Sequence, residues 1–315
     1  YAEGEEETVL RAVQTVVDDQ IARPILIGRP SVIESRIKRM NLRLRPGIDF
    51  ELTNPDDDPR FNDYWQMYHQ LMARKGVSPP AAKAIVRSRS TVIAALMVKR
   101  GEADAMLCGL VGKYNAKLKH VVEVLGLDPT VKSLSAMSAV ITPKGPFFFC
   151  DTHVQEDPTA EQIAESAPQA AYRLRLFGIT PKVALISHSN FGSVDTPSAR
   201  KMARALEIML EKNPRLEAEG EMHVDSALSP EIRAKIFPDS RLEGPANLLV
   251  LPNLDAANTA YNLTRVMTDG IGIGPVLMGM GKPAHVLTPG ATVRRVVNMT
   301  AIAAVEAQIR AARGA

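Results

Sequence analysis

The stretch TVIAALMVKRGEADAMLCG, residues 91–109, decides the fold class. Thr91–Arg100 is predicted to form a helix, and Ala103–Cys108 forms a short apolar run that is closed by Gly109. A helix that leads through a glycine into a short buried strand is typical of a βαβ unit. The stretch therefore predicts a strand in a parallel sheet with helices packed against it.

The same alternation continues outward in both directions. On the N-terminal side we predict helices at 6–22, 31–40, 60–75 and 80–87, with strands at 24–28 and 48–52. On the C-terminal side, strands at 133–141 and 147–150 are joined by the hairpin-like turn at 142–145. A helix that begins near Asp157-Pro158 follows, and further strands are predicted at 182–186, 219–224 and 246–251. A long last helix is predicted at 293–313.

These elements predict two α/β lobes around a cleft, with mostly parallel sheets flanked by helices. A chain of 315 residues is long enough for two modest lobes, since single cores stop growing at about 250 to 300 residues. We place residues 1–135 and 290–315 in the first lobe and residues 136–289 in the second.

Composition narrows the class of protein. A net charge of +3, with 45% hydrophobic and 23% charged residues, is ordinary for a globular protein and indicates neither a nucleic-acid nor a membrane partner. Cys108 and Cys150 lie in apolar runs, which favours buried reduced thiols and a cytoplasmic location. The histidines are scattered without metal-ligand spacing, so we expect no metal site.

The chain opens at Tyr1-Ala2-Glu3-Gly4 without an initiator methionine, in what is predicted to be the end of a strand. We therefore expect it to be a C-terminal fragment of a longer polypeptide.

Two polar loops follow predicted strands, at 187–193 and at 252–259. Ligands of open α/β sheets bind at the carboxyl ends of strands, so both loops are candidates for a binding site. The alternative is that Ser189, Asn190 and Asp255 only cap the next helices. Ser187-His188-Ser189 lacks the GxSxG elbow, although a Ser/His/Asp triad stays open. Asp151-Thr152-His153 is interpreted as polar surface, and the glycines at 270–274 do not form a GxGxxG fingerprint.

Several segments together resemble the phosphate acetyltransferase family over essentially the whole chain. Gly101-Glu102-Ala103-Asp104 is similar to the family's Gly-x-Ala-Asp-Gly, and Leu251-Pro252-Asn253-Leu254 to its Phe-Pro-Asp-Leu. Asp157-Pro158-Thr159-Ala160-Glu161-Gln162 matches nearly residue for residue, and the segment 274–295 resembles the C-terminal signature. The resemblance implies the two-lobed fold of phosphate acetyltransferases and isocitrate dehydrogenases.

The departures from that family fall on the groups that carry its chemistry. In active members an aspartate is thought to deprotonate the CoA thiol and arginines to hold acetyl phosphate. The corresponding positions carry other residues here, namely Met72, Lys119, Thr288, Pro289 and Arg295. Arginine cannot accept a proton, and proline can neither pair with phosphate nor donate from its backbone. We therefore expect no catalytic residues for acetyl transfer.

This pattern resembles the phosphate acetyltransferase-like C-terminal domain of the large bacterial NADP-dependent malic enzymes, on Ala22–Pro30 and Tyr64–His69. The resemblance implies allosteric control by acetyl-CoA and assembly at least as a homodimer. It also implies an N-terminal malic enzyme domain that holds NADP and a divalent metal and decarboxylates malate to pyruvate. The expected acetyl-CoA-binding residues are Ser187, Ser189, Asn190, Gly192, Ser193, Asp255, Asn258, Gly274, Pro275, Met278, Gly279, Lys282, Pro283, Lys113, Lys117 and Lys119.

Two alternatives stay open. The chain could be an active phosphate acetyltransferase with a relocated base and phosphate clamp, which would make acetyl-CoA from acetyl phosphate and CoA. It could also be a structural oligomerisation domain that binds no ligand.

Overall fold

The structure is a computed structural model that describes residues 1–313. Its contacts divide the chain into two units, the first containing Tyr1–Asp128 and the segment from Met280 onward, the second Pro129–Gly279. The predicted boundaries lie seven and ten residues further along the chain. The second of them is wrong because residues 284–286 pair with a strand of the first unit, so residues 280–289 belong with that unit.

The elements follow one another in the alternating order expected of an α/β protein. The first 128 residues form α1 (Glu7–Asp18), β1 (Ile25–Ile27), α2 (Pro30–Arg39), β2 (Glu51–Thr53), α3 (Phe61–Met72), a 3-10 turn (Ala73–Lys75), α4 (Pro79–Ser88), α5 (Ser90–Arg100), β3 (Met106–Cys108) and α6 (Tyr114–Leu125).

The second unit and the C-terminal segment complete the series. Pro129–Gly279 forms β4 (Ser135–Thr142), β5 (Gly145–Cys150), α7 (Ala160–Leu176), β6 (Val183–Ile186), α8 (Pro197–Lys212), β7 (Ala218–Met222), α9 (Val224–Leu228), α10 (Pro230–Ile236), β8 (Leu248–Val250), α11 (Leu254–Met267) and β9 (Ile271–Met278). The last segment forms β10 (Ala284–Val286) and α12 (Val293–Ala312). The predicted α/β class, with mostly parallel sheets flanked by helices, is confirmed.

The first unit contains two two-stranded sheets, and the N-terminal segment bonds to both of them. β1 pairs with β2, and β3 with β10, both in parallel. Tyr1–Gly4 lies between the two pairs, since the Tyr1 nitrogen donates to Ile25 O at 2.8 Å and the Ala2 nitrogen to Leu107 O at 3.0 Å. Tyr1 and Ala2 therefore connect the two pairs by backbone hydrogen bonds, but Ala2–Glu5 forms a turn and the predicted strand end is not present as a strand.

The second unit has one six-stranded sheet in the order β7-β6-β8-β5-β4-β9. Its strands β7, β6, β8 and β5 are parallel, whereas β4 pairs antiparallel with both β5 and β9. Side chains alternate between two cores: Leu248 and Val250 pack in the core that contains α7 and α8, and Leu249 packs in the core that contains α11. Burial on both faces explains why these strands are apolar runs.

Local sequence fixes the helix starts. Thr159 and Gln162 form a reciprocal capping box at the start of α7, and Thr196, Asn253 and Thr292 cap α8, α11 and α12. None of the helices in residues 1–313 combines the length and the apolar character needed to cross a membrane.

Candidate functional site

Five strands of the second unit end at the same edge of their sheet. β5, β6, β7 and β8 are parallel, and β9 runs in their direction because β4 is antiparallel to both β5 and β9. The loops that begin at Asp151, Ser187, His223, Leu251 and Gly279 therefore share this edge. Carboxyl edges are where open α/β sheets bind ligands, so this edge is the candidate site of the second unit.

The 187–193 loop is held by a carboxylate that the sequence analysis missed. Glu221 lies on β7 and is buried, and its Oε1 accepts from Ser189 Oγ and from the Gly192 nitrogen, each at 2.8 Å. Ser189 Oγ in turn accepts from the Val194 nitrogen at 3.1 Å. The Ser189 hydroxyl is therefore committed to the loop itself. The sequence signal for this carboxylate was Glu219-Gly220-Glu221, which places a glutamate at an inward position of a predicted strand.

The other polar side chains of this loop also stabilise its shape. Ser187 Oγ accepts from the Ser189 nitrogen, and Ser193 Oγ from the Asn190 nitrogen at 2.9 Å. Asn190 Oδ1 accepts from the His223 nitrogen at 2.8 Å, which joins the loop to the end of β7. Ser187 and Ser189 are buried, whereas Gly192 and Ser193 are exposed. The exposed tip is the part of this loop that a ligand can reach.

The capping alternative is wrong for the residues it named. α8 is capped by Thr196 and α11 by Asn253, not by Ser189, Asn190 or Asp255. Asp255 is an exposed residue of the first turn of α11.

Asn258 links α11 to the loop that follows β5. Its Nδ2 donates to Thr152 O at 3.2 Å, and its Oδ1 accepts from Asn262 Nδ2 at 3.0 Å. α11 is therefore joined to the loop after β5.

Asp151 is a second carboxylate of this edge, and its interpretation as polar surface was wrong. It is 5% exposed, and it accepts from the nitrogens of His153, Val154 and Gln155 at 2.9 to 3.1 Å. Burial raises the pKa of Asp151 to about 6, although these backbone hydrogen bonds favour the charged form. The carboxyl group wraps the loop after β5 into a fixed turn.

The glycine-rich run lies in β9 rather than in a loop. Gly274 has φ +110°, and a Cβ there would lie 2.9 Å from Met137 O, so glycine is needed where β9 meets the irregularity in β4. Gly274 and Pro275 are buried, and Met278 is fully buried among the residues that pack on α7 and α8. The structure thus assigns Met278 to the core, and Gly279 stands at the end of β9.

The first unit has its own carboxyl edge, where the loops after β3 and β10 meet. Gly109 has φ +104°, and a Cβ there would lie 2.3 Å from Leu287 O, so the two loops approach closely. The Gly109 nitrogen donates to both carboxylate oxygens of Glu3, at 3.1 and 3.0 Å. Glu3 also pairs with Lys117, whose Nζ lies 2.9 Å from Oε1.

The three candidate lysines of this edge differ in their partners. Lys113 is exposed and directly precedes α6. Lys117 is largely buried in its pair with Glu3, whereas Lys119 is 72% exposed and lies 3.9 Å from Glu123.

Lys282 is exposed, but Pro283 is buried and its carbonyl accepts from the Met106 nitrogen at 3.1 Å. Lys113, Lys119 and Lys282 are therefore the accessible cations of the predicted set.

The positions at which the family resemblance implies catalytic groups lie in the first unit. Thr288 and Pro289 lie in the loop after β10, and Arg295 lies in the first turn of α12, where its nitrogen donates to the capping Thr292 Oγ1 at 3.2 Å. Arg295 is 9% exposed, and Met72 at the end of α3 is 4% exposed. Among the described residues, no three His, Cys, Asp or Glu side chains are grouped so that they could hold a metal ion.

The fold is that of the phosphotransacetylases. A phosphotransacetylase from Streptococcus pyogenes superimposes with a TM-score of 0.90 at 26% identity, covering 98% of this chain and 93% of that one. Phosphate acetyl/butaryl transferase is the family description that matches residues 1–304, and the chain belongs to this family.

The curated relatives divide into two groups. The chain is 52% identical over 306 residues to a Rhizobium meliloti NAD-dependent malic enzyme and 52% identical over 307 residues to an Escherichia coli NADP-dependent malic enzyme. Each match covers 97% of this chain but only 40% of the relative, so the chain spans about two fifths of the length of these malic enzymes. An Acetivibrio thermocellus phosphate acetyltransferase is 31% identical over 310 residues, which is 95% of this chain and 91% of that protein.

Proposed function

We propose that this chain is the acetyl-CoA-binding regulatory domain of a malic enzyme and transfers no acetyl group itself. In this proposal the rest of the parent chain oxidatively decarboxylates malate to pyruvate with NADP and a divalent metal. One observation carries the proposal: Pro289, in the loop after β10, and Arg295, in the first turn of α12, occupy the positions where the resemblance implies a phosphate-binding arginine and a base. The higher identity to malic enzymes than to the phosphate acetyltransferase agrees with it.

The chemistry explains why those two positions matter. A thiol with a pKa near 8.5 is mostly protonated at neutral pH and needs a base to attack an acyl phosphate. Arg295 has no acceptor atom, and Pro289 offers no cation to a phosphate dianion. Lys119 provides a charge, but it lacks the bidentate geometry of a guanidinium group. These positions therefore supply neither the base that deprotonates the thiol nor the cation that holds the phosphate, and acetyl transfer needs both.

Binding needs less than catalysis does. In the first unit, the exposed Lys113 and Lys119 suit the phosphates of CoA, whereas Lys282 precedes β10 and lies at the opposite edge of the strand pair. In the second unit, taken by itself, the exposed tip at Gly192 and Ser193 suits a polar group of a ligand. Regulation then requires that acetyl-CoA bind two states of the parent enzyme with different affinities. A coupling free energy of about 1 to 3 kcal/mol changes affinity by roughly 5- to 150-fold.

Calorimetry with acetyl-CoA tests the binding half of the proposal. We expect saturable heat that Lys113→Ala reduces, because this exposed lysine precedes α6 at the carboxyl edge. Lys144→Ala is the matched control, since Lys144 is exposed in the β4–β5 turn, at the other edge of the second unit's sheet. Absence of saturable heat at millimolar acetyl-CoA would leave the structural oligomerisation domain as the better account.

An acetyl phosphate assay tests the catalytic half. We expect that acetyl phosphate and CoA give no acetyl-CoA above background. Turnover that Lys113→Ala abolishes would overturn the proposal and favour the active phosphate acetyltransferase.

The proposal includes assembly as a homodimer or a higher homo-oligomer. Leu263, Val266 and Met267 on α11 are 56%, 67% and 75% exposed, and their spacing places them along one side of the helix. An exposed apolar stripe of this kind is typical of an interface. Met267→Asp is expected to lower the mass measured by light scattering, and an unchanged mass would exclude this stripe as the contact.

A further inference from the structure

Positive charge collects without compensation on α4 and the segments beside it. Residues 64–101 contain no aspartate or glutamate but seven lysine and arginine residues, namely Arg74, Lys75, Lys83, Arg87, Arg89, Lys99 and Arg100. Arg100 pairs with two carboxylates, whereas the other six cations are exposed and form no ion pair within the described part of the chain. Elsewhere in the same unit, surface arginines such as Arg29, Arg39 and Arg43 each pair with an acid. The basic surface at α4 is therefore unusual within this unit.

Two of these cations are held in place by aromatic rings of α3. Lys83 Nζ lies 4.4 Å from the centroid of the Trp65 ring, and the Arg87 guanidinium carbon lies 4.6 Å from that of the Phe61 ring. On each helix the two residues are four apart, and their order is reversed between the helices, so α3 and α4 run antiparallel with the two stacks side by side. Lys83 and Arg87 are thereby fixed one helical turn apart on the same face of α4.

Stacking leaves the charges of Lys83 and Arg87 available. A ring takes one side of a cation, and both side chains are exposed, so their N–H groups stay accessible. A mobile surface lysine or arginine loses rotamer freedom when it pairs with an acid, and that loss cancels much of the gain. Here the rings already restrict the two side chains, so an incoming carboxylate meets cations that are ordered in advance.

The surroundings of the two stacks favour carboxylates over phosphates. A helix N-terminus binds phosphate through free backbone N–H groups, but Pro79 and Pro80 open α4 without any, and the Ala81 nitrogen donates to Ser78 Oγ at 3.4 Å. Single-stranded nucleic acid needs aromatic faces on which bases can stack, and a cation covers a face of each ring here. Two cations one turn apart instead match two carboxylates at the same spacing on another helix.

We propose that the exposed face of α4 docks an acidic helix of a partner protein, whose carboxylates four residues apart pair with Lys83 and Arg87. The unpaired cations that flank α4 on both sides add longer-range attraction to such a partner. Tryptophan and arginine are among the residues that most often dominate protein interfaces, and Trp65 is partly exposed beneath Lys83. The inference is independent of the proposed function, because no residue of this face is among the expected acetyl-CoA-binding residues.

A labelled model peptide tests the proposal on the chain itself. The probe is a fluorescein-labelled, alanine-based helical peptide with glutamates four residues apart along one face. The comparison peptide has the same composition, with the glutamates spread around the helix. At low salt we expect saturable binding by fluorescence anisotropy, tighter for the first peptide and weaker as the salt concentration rises. Binding should also change the emission of Trp65, the single tryptophan of the chain.

Charge-matched variants locate the contact. Lys83→Ala and Arg87→Ala should each weaken binding by roughly five-fold, as expected for one well-placed exposed ion pair. Lys99→Ala is the control, because it removes the same charge from an exposed, unpaired lysine near the end of α5, and it should change the affinity by less than a factor of about two. All three side chains are exposed, so thermal unfolding should show that each variant stays folded.

Four results would overturn the proposal. Absence of saturable binding at millimolar peptide would exclude the docking face, and equal affinity for the two peptides would contradict the carboxylate spacing. Equal losses for Lys99→Ala and Lys83→Ala would show that only net charge matters. Tighter binding of a single-stranded oligonucleotide of equal charge, with the same change in Trp65 emission, would assign the face to nucleic acid. None of these measurements involves acetyl-CoA, so failure here is distinct from failure of the proposed function.

Discussion

Removing the Glu221 carboxylate is expected to release the 187–193 loop. Glu221 Oε1 accepts from both Ser189 Oγ and the Gly192 nitrogen at 2.8 Å. Glu221→Ala deletes this acceptor and leaves the buried Ser189 hydroxyl without it. Glu221→Gln is the matched variant, because its single amide oxygen can still accept both bonds at the position of Oε1.

The expected magnitudes follow from the burial of each donor. A hydrogen bond to a charged group contributes about 1.5 to 3 kcal/mol, and a buried donor left unsatisfied costs about 1 to 3 kcal/mol. Ser189 is fully buried, so its bond carries the larger share, whereas water can replace the acceptor at the exposed Gly192. We expect Glu221→Ala to destabilise the loop by about 3 to 4 kcal/mol, and Glu221→Gln by about 1 to 2 kcal/mol.

Exchange of the Val194 amide measures this loss locally, because that amide donates to Ser189 Oγ. At about 1.4 kcal/mol per factor of ten, Glu221→Ala should speed its exchange by roughly two to three orders of magnitude and Glu221→Gln by roughly one. Acetyl-CoA binding should weaken in the same order. Exchange in Glu221→Ala within a factor of two of the unsubstituted chain would refute the role given to this carboxylate.

Three further predictions concern other parts of the two units. Lys117→Ala should lower the melting temperature clearly, because it removes the cation that pairs with the buried Glu3 carboxylate. Lys119→Ala is the control and should change the free energy of unfolding by less than about 1 kcal/mol, because its ion pair with Glu123 is exposed. Equal shifts for the two variants would contradict the assigned Lys117–Glu3 ion pair. The pKa of Asp151 is raised to about 6 from an ordinary value of 3.8. Its contribution to the free energy of unfolding is therefore complete below pH 3.8 and is lost as the pH rises through 6. Asp151→Asn should remove this pH dependence from the free energy of unfolding, measured by urea denaturation between about pH 4 and pH 7. Arg233 donates to the carbonyls of four residues of the second unit, so Arg233→Lys should cost about 2 to 4 kcal/mol in thermal unfolding, and a cost below 1 kcal/mol would show that these bonds are dispensable.

The sequence predicted those features that depend on local pattern. The alternation of strands and helices up to β8 and the hairpin at 142–145 follow from periodicity and turn residues, which act over a few residues. The start of α7 was placed near Asp157-Pro158, whereas the helix begins at Ala160 after the Thr159 cap, and β9 and β10 were not predicted. The family motifs then identified which α/β fold the chain adopts, namely that of the phosphate acetyltransferases. The lobe boundary near residue 289 failed because it depends on the pairing of β10 with β3, residues that are far apart in the sequence.

The candidate site was predicted less well, for the same physical reason. The loops were located correctly at the ends of strands, but the residues that hold them were missed. Glu221 and Asp151 are buried acids, and burial of a charged residue is decided by partners that only the folded chain brings together. The opposite error occurred at Met278, which was expected to bind acetyl-CoA but packs in the core of the second unit.

The arrangement of these carboxylates bears on how a family of acyltransferases could yield a sensor. Glu221, Asp151 and Glu3 shape the carboxyl edges by accepting from backbone nitrogens, and none of these bonds requires Pro289 or Arg295. Under the proposed function, loss of the base and of the phosphate-binding group would therefore leave the loops intact. Because catalysis depends on interactions made only in the transition state, those groups can be lost while ground-state binding is kept. A ligand that is bound but not consumed reports its own concentration, and any difference in its affinity for two states of the parent enzyme is then available as regulation.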